Sequence, residues 1–122
     1  MSNILVVDDE PDIAELVKRT LEESGYDVAT ALSGDEALEQ LGKEQVDLAL
    51  IDFMMPEMTG RDLVEKIRAD PQLKDLKLAF LTAASFGEEG KEELQRLGAL
   101  DYIAKPFDNE DLIQRVKRMI GE

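Results

Sequence analysis

Val46-Asp47-Leu48-Ala49-Leu50-Ile51-Asp52-Phe53-Met54-Met55-Pro56 is the stretch that decides the fold. Its first six residues are apolar except for Asp47. They are β-branched at both ends and bounded by turn residues, which predicts a short buried strand. Asp52 closes that strand, and a carboxylate at the end of a buried strand needs a physical reason. Three other apolar runs end in a reactive polar residue. Ile4-Leu5-Val6-Val7 ends in Asp8 and Asp9, and Leu78-Ala79-Phe80-Leu81 ends in Thr82. Leu100-Asp101-Tyr102-Ile103-Ala104 ends in Lys105-Pro106. If the strands run parallel, all these groups gather along one edge of one sheet.

The segments between the runs read as helices. After Asp8-Asp9-Glu10-Pro11, residues Ile13, Leu16, Val17, Thr20 and Leu21 predict one buried helical face, stopped at Gly25. Pro11 suits the first turn, and Glu15 and Arg19 are spaced as an exposed ion pair. Val28–Leu32 is a weaker strand. Ala37, Leu38 and Leu41 mark a second helix, expected to end at Gly42. A third begins at Thr59 or Gly60, turns Leu63, Val64 and Ile67 inward, and ends at Asp70-Pro71. Lys77–Thr82 is the fourth strand, and residues 83–90, with Ser85, Gly87 and Gly90, read as a mobile loop. A helix over about 89–97 has only Leu94 and Leu97 as apolar anchors and is the weakest of the chain. Leu100–Ala104 is the fifth strand. Asp108–Gly121 is the last helix, buried through Leu112, Ile113, Val116, Met119 and Ile120.

Five βα units in even succession imply a parallel sheet with helices on both faces. The first, third and fourth runs are continuously apolar and belong in the centre; the second and fifth are mixed and belong at the edges. The order 2-1-3-4-5 satisfies this. It is the flavodoxin-like α/β arrangement, a three-layer (βα)5 sandwich. Ligands bind such sheets beyond the carboxyl ends of the strands, where the order reverses. Here that point lies between strands 1 and 3, where Asp8, Asp9 and Asp52 sit.

At 122 residues the chain is expected to be one domain, residues 1–122, so a sensor or output module would lie on another chain. A net charge of −14 argues against a nucleic-acid groove and against an anionic membrane surface. There is no Cys and no His, which excludes thiolate metal sites, His-based triads and a phosphohistidine on this chain. Any metal must be held by oxygen, which favours Mg²⁺, Mn²⁺ or Ca²⁺. No apolar run approaches the roughly 18 residues of a membrane span, and the expectation is a soluble, cytoplasmic protein.

The chemistry follows from the crowding. Carboxylates about 5 Å apart at an effective dielectric near 20 repel by roughly 3 kcal/mol per pair. Three pairs sum to about 10 kcal/mol, comparable to the stability of a small domain. Such a cluster protonates or takes up a divalent cation, and with no His or Cys present Mg²⁺ is the natural choice, with Mn²⁺ as a substitute. Read singly, Asp8 and Asp9 are helix caps and Asp52 a turn carboxylate. Read with Lys105 and Thr82 on the same edge, they form a cradle for a phosphoryl group, in which Asp52 is the nucleophile.

These residues also carry a resemblance. Ile4–Glu10, Leu50–Gly60, Leu81-Thr82-Ala83 and Gly98–Phe107 resemble, in order and spacing, the receiver domain of two-component response regulators, over the full length and in the single-domain, chemotaxis-regulator style. The resemblance implies that Asp52 is the phosphoacceptor, and that Asp9 is a direct Mg²⁺ ligand with Asp8 its water-bridged neighbour. It makes the backbone carbonyl of Met54 a further ligand. It also implies that Thr82 is the switch hydroxyl, Lys105 its ion-pair partner, and Tyr102 the aromatic that turns inward. Lys105-Pro106 would be a cis peptide, and the small Ala83 would leave access for the phosphodonor. The Thr82–Lys105 segment is one residue longer than the family's usual spacing. The donor implied is a sensor histidine kinase or a histidine phosphotransfer protein, and the output an unidentified protein target. On this reading the chain is no enzyme beyond its own phosphorylation and dephosphorylation. An aspartate-based phosphohydrolase usually carries a general acid two residues after its nucleophile, where this chain has Met54. A flavodoxin-like cofactor carrier needs a phosphate loop where Asp8-Asp9-Glu10 stands. A docking module independent of phosphorylation would not need all five positions.

Overall fold

The structure, a computed structural model, describes residues 2–83 and 87–121. The strands are β1 (Asn3–Val7), β2 (Asp27–Ala31), β3 (Leu48–Ile51), β4 (Leu78–Thr82) and β5 (Tyr102–Ala104). The helices are α1 (Pro11–Glu22), α2 (Gly34–Lys43), α3 (Gly60–Ala69), α4 (Glu88–Arg96) and α5 (Asn109–Ile120). All strand pairs are parallel and the order is β2-β1-β3-β4-β5, as the hydrophobic pattern predicts. β3 and β4 are buried at every residue, because helices cover both faces of the sheet centre.

Side-chain alternation divides the core in two. Ile4, Val6, Leu48, Leu50, Ala79 and Leu81 meet α1 and α5 through Val17, Leu21, Leu112 and Val116. Leu5, Val7, Ala49, Ile51, Leu78 and Phe80 face α2 and α3, with Leu41, Leu63, Val64 and Ile67 against them. Ring edges of Phe53 and Phe80 meet with centroids 5.5 Å apart and extend this second core to the site end of the sheet.

Several local expectations are corrected. Gly42 does not end α2; the helix continues to Lys43 and is capped by Glu44, since one glycine costs less than the packing of Leu41 returns. Gly90 belongs to α4, not to a preceding loop, and the predicted loop residue Ser85 lies outside the described residues. β5 is shorter than predicted: Leu100 stands before it, 52% exposed. Leu16 is 41% exposed, while the small Ala14 takes the buried position on α1. β3 begins at Leu48, because Asp47 is turned to the N-terminal rim, where its Oδ2 accepts the Asn3 amide at 2.7 Å.

Helix starts hold the functional edge in place. Thr59 caps α3 in a reciprocal capping box with Asp62, and the Gly60 amide donates to the Phe53 carbonyl at 3.0 Å. A Cβ at Gly60 would come within 2.7 Å of the Phe53 Cα, so glycine alone permits this approach to the backbone that carries Asp52. Gly60→Ala is expected to cost about 1–3 kcal/mol through forced backbone movement, read as a lower urea midpoint at unchanged m-value.

Candidate phosphoacceptor and metal site

The parallel register converts strand ends into a site. Val7 pairs with Ile51, so Asp8 and Asp52 leave adjacent strands at the same level. The Asp52 amide donates to the Val7 carbonyl at 2.9 Å. On the other side Thr82 pairs with Ala104, and the Lys105 amide donates to the Thr82 carbonyl at 3.0 Å. Asp8, Asp52, Thr82 and Lys105 therefore reach one edge from four strands. Asp8, Asp52 and Thr82 are buried, each under 5% exposed, and among the described residues the other carboxylates lie nearer water.

Lys105 crosses the edge to the acids. Its Nζ donates to Asp8 Oδ2 at 2.6 Å and to Asp52 Oδ2 at 3.2 Å, and it lies 3.9 Å from Glu10 Oε1. The peptide before Pro106 is cis. Burial by itself lowers the Lys105 pKa, but hydrogen bonds to Asp8 and Asp52 and their charges outweigh it, and the ammonium is held above the ordinary 10.5. The second oxygen of each aspartate accepts a local amide. Asp8 Oδ1 takes the Glu10 N–H at 2.9 Å, and Asp52 Oδ1 takes the Met54 N–H at 3.1 Å. Met54 is thereby fixed by its backbone beside the site, with its side chain 63% exposed.

Among the described residues, the carboxylates that gather are Asp8, Glu10 and Asp52, with one oxygen of each within 4.8 Å of the others. Asp9, half-buried between two members of this trio, stands outside it. The backbone is extended at Glu10, two residues after Asp8, with φ −96° and ψ 106°. At such separations an unscreened carboxylate pair repels by roughly 3 kcal/mol. Lys105 offsets this here, and an all-oxygen donor set of this charge fits a hard divalent cation. Tyr102, the remaining residue singled out from sequence, lies half-buried on β5 with Lys91 Nζ 5.2 Å from its ring centroid. Ala83 is small and exposed beside Thr82.

The chain matches the response regulator receiver domain over residues 4–117. The response regulator SaeR of Staphylococcus epidermidis is 39% identical over 121 residues, covering 99% of this chain and 51% of its own. The chain thus spans about half the length of the curated relatives it matches. Vibrio cholerae CheY4 superposes with a TM-score of 0.91 at 36% identity, covering 98% of each chain. The response regulator TrrA of Thermotoga maritima, in complex with Mg²⁺ and BeF, superposes at 0.84 with 38% identity, covering 98% of this chain and 99% of its own.

Lys105→Met leaves Asp8 and Asp52 buried without their counter-charge and is expected to cost about 3 kcal/mol without divalent metal. The lysine's contribution is complete below its ordinary pKa of 10.5 and is lost as pH rises through the raised value. The variant should therefore show a smaller alkaline loss of stability than the parent, measured by thermal unfolding across that range.

Proposed function

The chain belongs to the response regulator receiver domain family, and on that premise we propose that Asp52 accepts a phosphoryl group from a phosphohistidine on a sensor kinase or histidine phosphotransfer protein. The observation that carries this reading is the setting of Asp52: a buried carboxylate at a strand end, 3.2 Å from the Lys105 ammonium, on the edge that also carries Thr82. An Asp52 oxygen attacks phosphorus, an O–P bond forms, the P–N bond breaks, and its electron pair returns to the donor imidazole. Lys105 neutralises charge on the transferring oxygens. The backbone amide of Met54 orients the carboxylate, and Ala83 leaves the approach open.

Asp8, Glu10 and Asp52 are suited to a divalent ion, Mg²⁺ in the first place and Mn²⁺ as a substitute, with Asp9 and the Met54 carbonyl completing the protein's donors as the family pattern implies. Bound there, the ion supplies charge neutralisation of the transferring oxygens. The phosphoryl group adds about −1.5 to −2 charge. Thr82 turns its hydroxyl towards it, Tyr102 turns inward, and the surface of α4 and β5 is remade for a protein target. Residues 1–122 act as one receiver unit that turns over no external substrate. We place it in the cytoplasm with its donor; no helix among the described residues is long and apolar enough to cross a membrane.

Incubation with labelled acetyl phosphate and Mg²⁺ should place one base-labile, hydroxylamine-sensitive phosphoryl group on Asp52. Asp52→Asn should abolish it, and equal labelling of that variant would defeat the assignment.

A further inference from the structure

α4 is held to the fold by unusually little apolar surface: of its nine residues only Leu94 is buried. What ties it down instead is a pair of arginines on α3. Arg68, in the last turn of α3, donates from Nε to the Leu97 carbonyl at 2.8 Å and from Nη2 to the Gly98 carbonyl at 3.2 Å. Its Nη1 donates to the carbonyls of Lys74 and Leu76 at 2.8 and 2.7 Å. One guanidinium thus binds the end of α4 and the loop after α3. Burial lowers its pKa, and no carboxylate hydrogen-bonds to it. Gly98, at φ +82°, leaves it room: a Cβ there would come within 2.9 Å of Nη2. About two helical turns earlier, Arg61 pairs with Glu93 of α4 and with Glu65 of its own helix.

The two ties differ in kind. The Arg68 fork satisfies four carbonyls at once, and breaking it strands several polar groups. The Arg61–Glu93 pair is 46% and 40% exposed, and an exposed pair is weak enough to open. We propose that Arg61 and Arg68 are positioning residues for the switch: Arg68 pins the C-terminal end of α4, and the Arg61–Glu93 pair latches its middle in the unphosphorylated chain. The proposal rests on the phosphoacceptor reading for its direction. On phosphorylation α4 turns about its pinned end, and Glu93 leaves Arg61. Because the latch favours the unphosphorylated arrangement, opening it by substitution favours phosphorylation.

Hydrogen exchange and acetyl phosphate labelling of the whole chain test this. In Glu93→Gln and Arg61→Gln, amides of residues 88–94 should exchange about twofold to fivefold faster, the range an exposed pair allows, with residues 97–99 unchanged. Both variants should label at Asp52 faster by a similar factor, and Arg61→Glu combined with Glu93→Arg should return both readouts to the parent's. Glu65→Gln should alter neither. Arg68→Lys should speed exchange at residues 97–99. Unchanged exchange and labelling in Glu93→Gln, or an equal effect of Glu65→Gln, overturns the latch, and protection at 97–99 unaltered in Arg68→Lys overturns the pin. A parent chain that takes no label defeats the phosphoacceptor reading instead, and the exchange measurements still decide whether the ties exist.

Discussion

One ammonium between buried carboxylates governs the functional edge of this protein. Asp8 and Asp52 lie 2.6 and 3.2 Å from Lys105 Nζ, and Asp8 and Asp52 are nearly inaccessible to water. Without a cation the acids would oppose the folded state by an amount comparable to a large share of a small domain's stability. The site is therefore stable only with positive charge present. That same requirement makes the cluster compatible with a divalent ion.

The arrangement depends on a scaffold that spends its apolar residues unevenly. β3 and β4 are buried throughout, and each face of the sheet has its own side-chain layer. These layers fix the strand ends from which the acids project. α4, by contrast, is attached through one buried leucine, the Arg61–Glu93 ion pair, Lys91 over the Tyr102 ring and backbone carbonyls gripped by Arg68. Firm packing under the acids and light apolar anchoring of α4 are the combination that the proposed switch would use.

Periodicity read the elements well where many residues reported the same thing. The buried faces of α3 and α5 were legible because three or more large apolar residues recur at helical spacing in each. It read poorly where a single residue was asked to decide. Gly42 predicts a helix end, and α2 runs one residue past it to Lys43 before Glu44 caps it. Leu100 predicts strand core and stands before β5, half exposed. Leu16 fell on the predicted face of α1, while the narrow space beneath admits Ala14. In the site, Glu10 precedes α1 two residues after Asp8, and only the folded arrangement brings its carboxylate beside those of Asp8 and Asp52.

The sequence by itself determined the parallel sheet, its strand order and the edge on which Asp8, Asp52, Thr82 and Lys105 lie. Apolar runs, their burial and the short connections admit few topologies. Only the tertiary structure decided which acids meet, that one lysine spans two of them, and that α4 hangs from Arg61 and Arg68. Those outcomes depend on distances between side chains far apart in the chain, 97 residues in the case of Lys105 and Asp8. Local pattern carries no information about such distances until register and helix packing have fixed them.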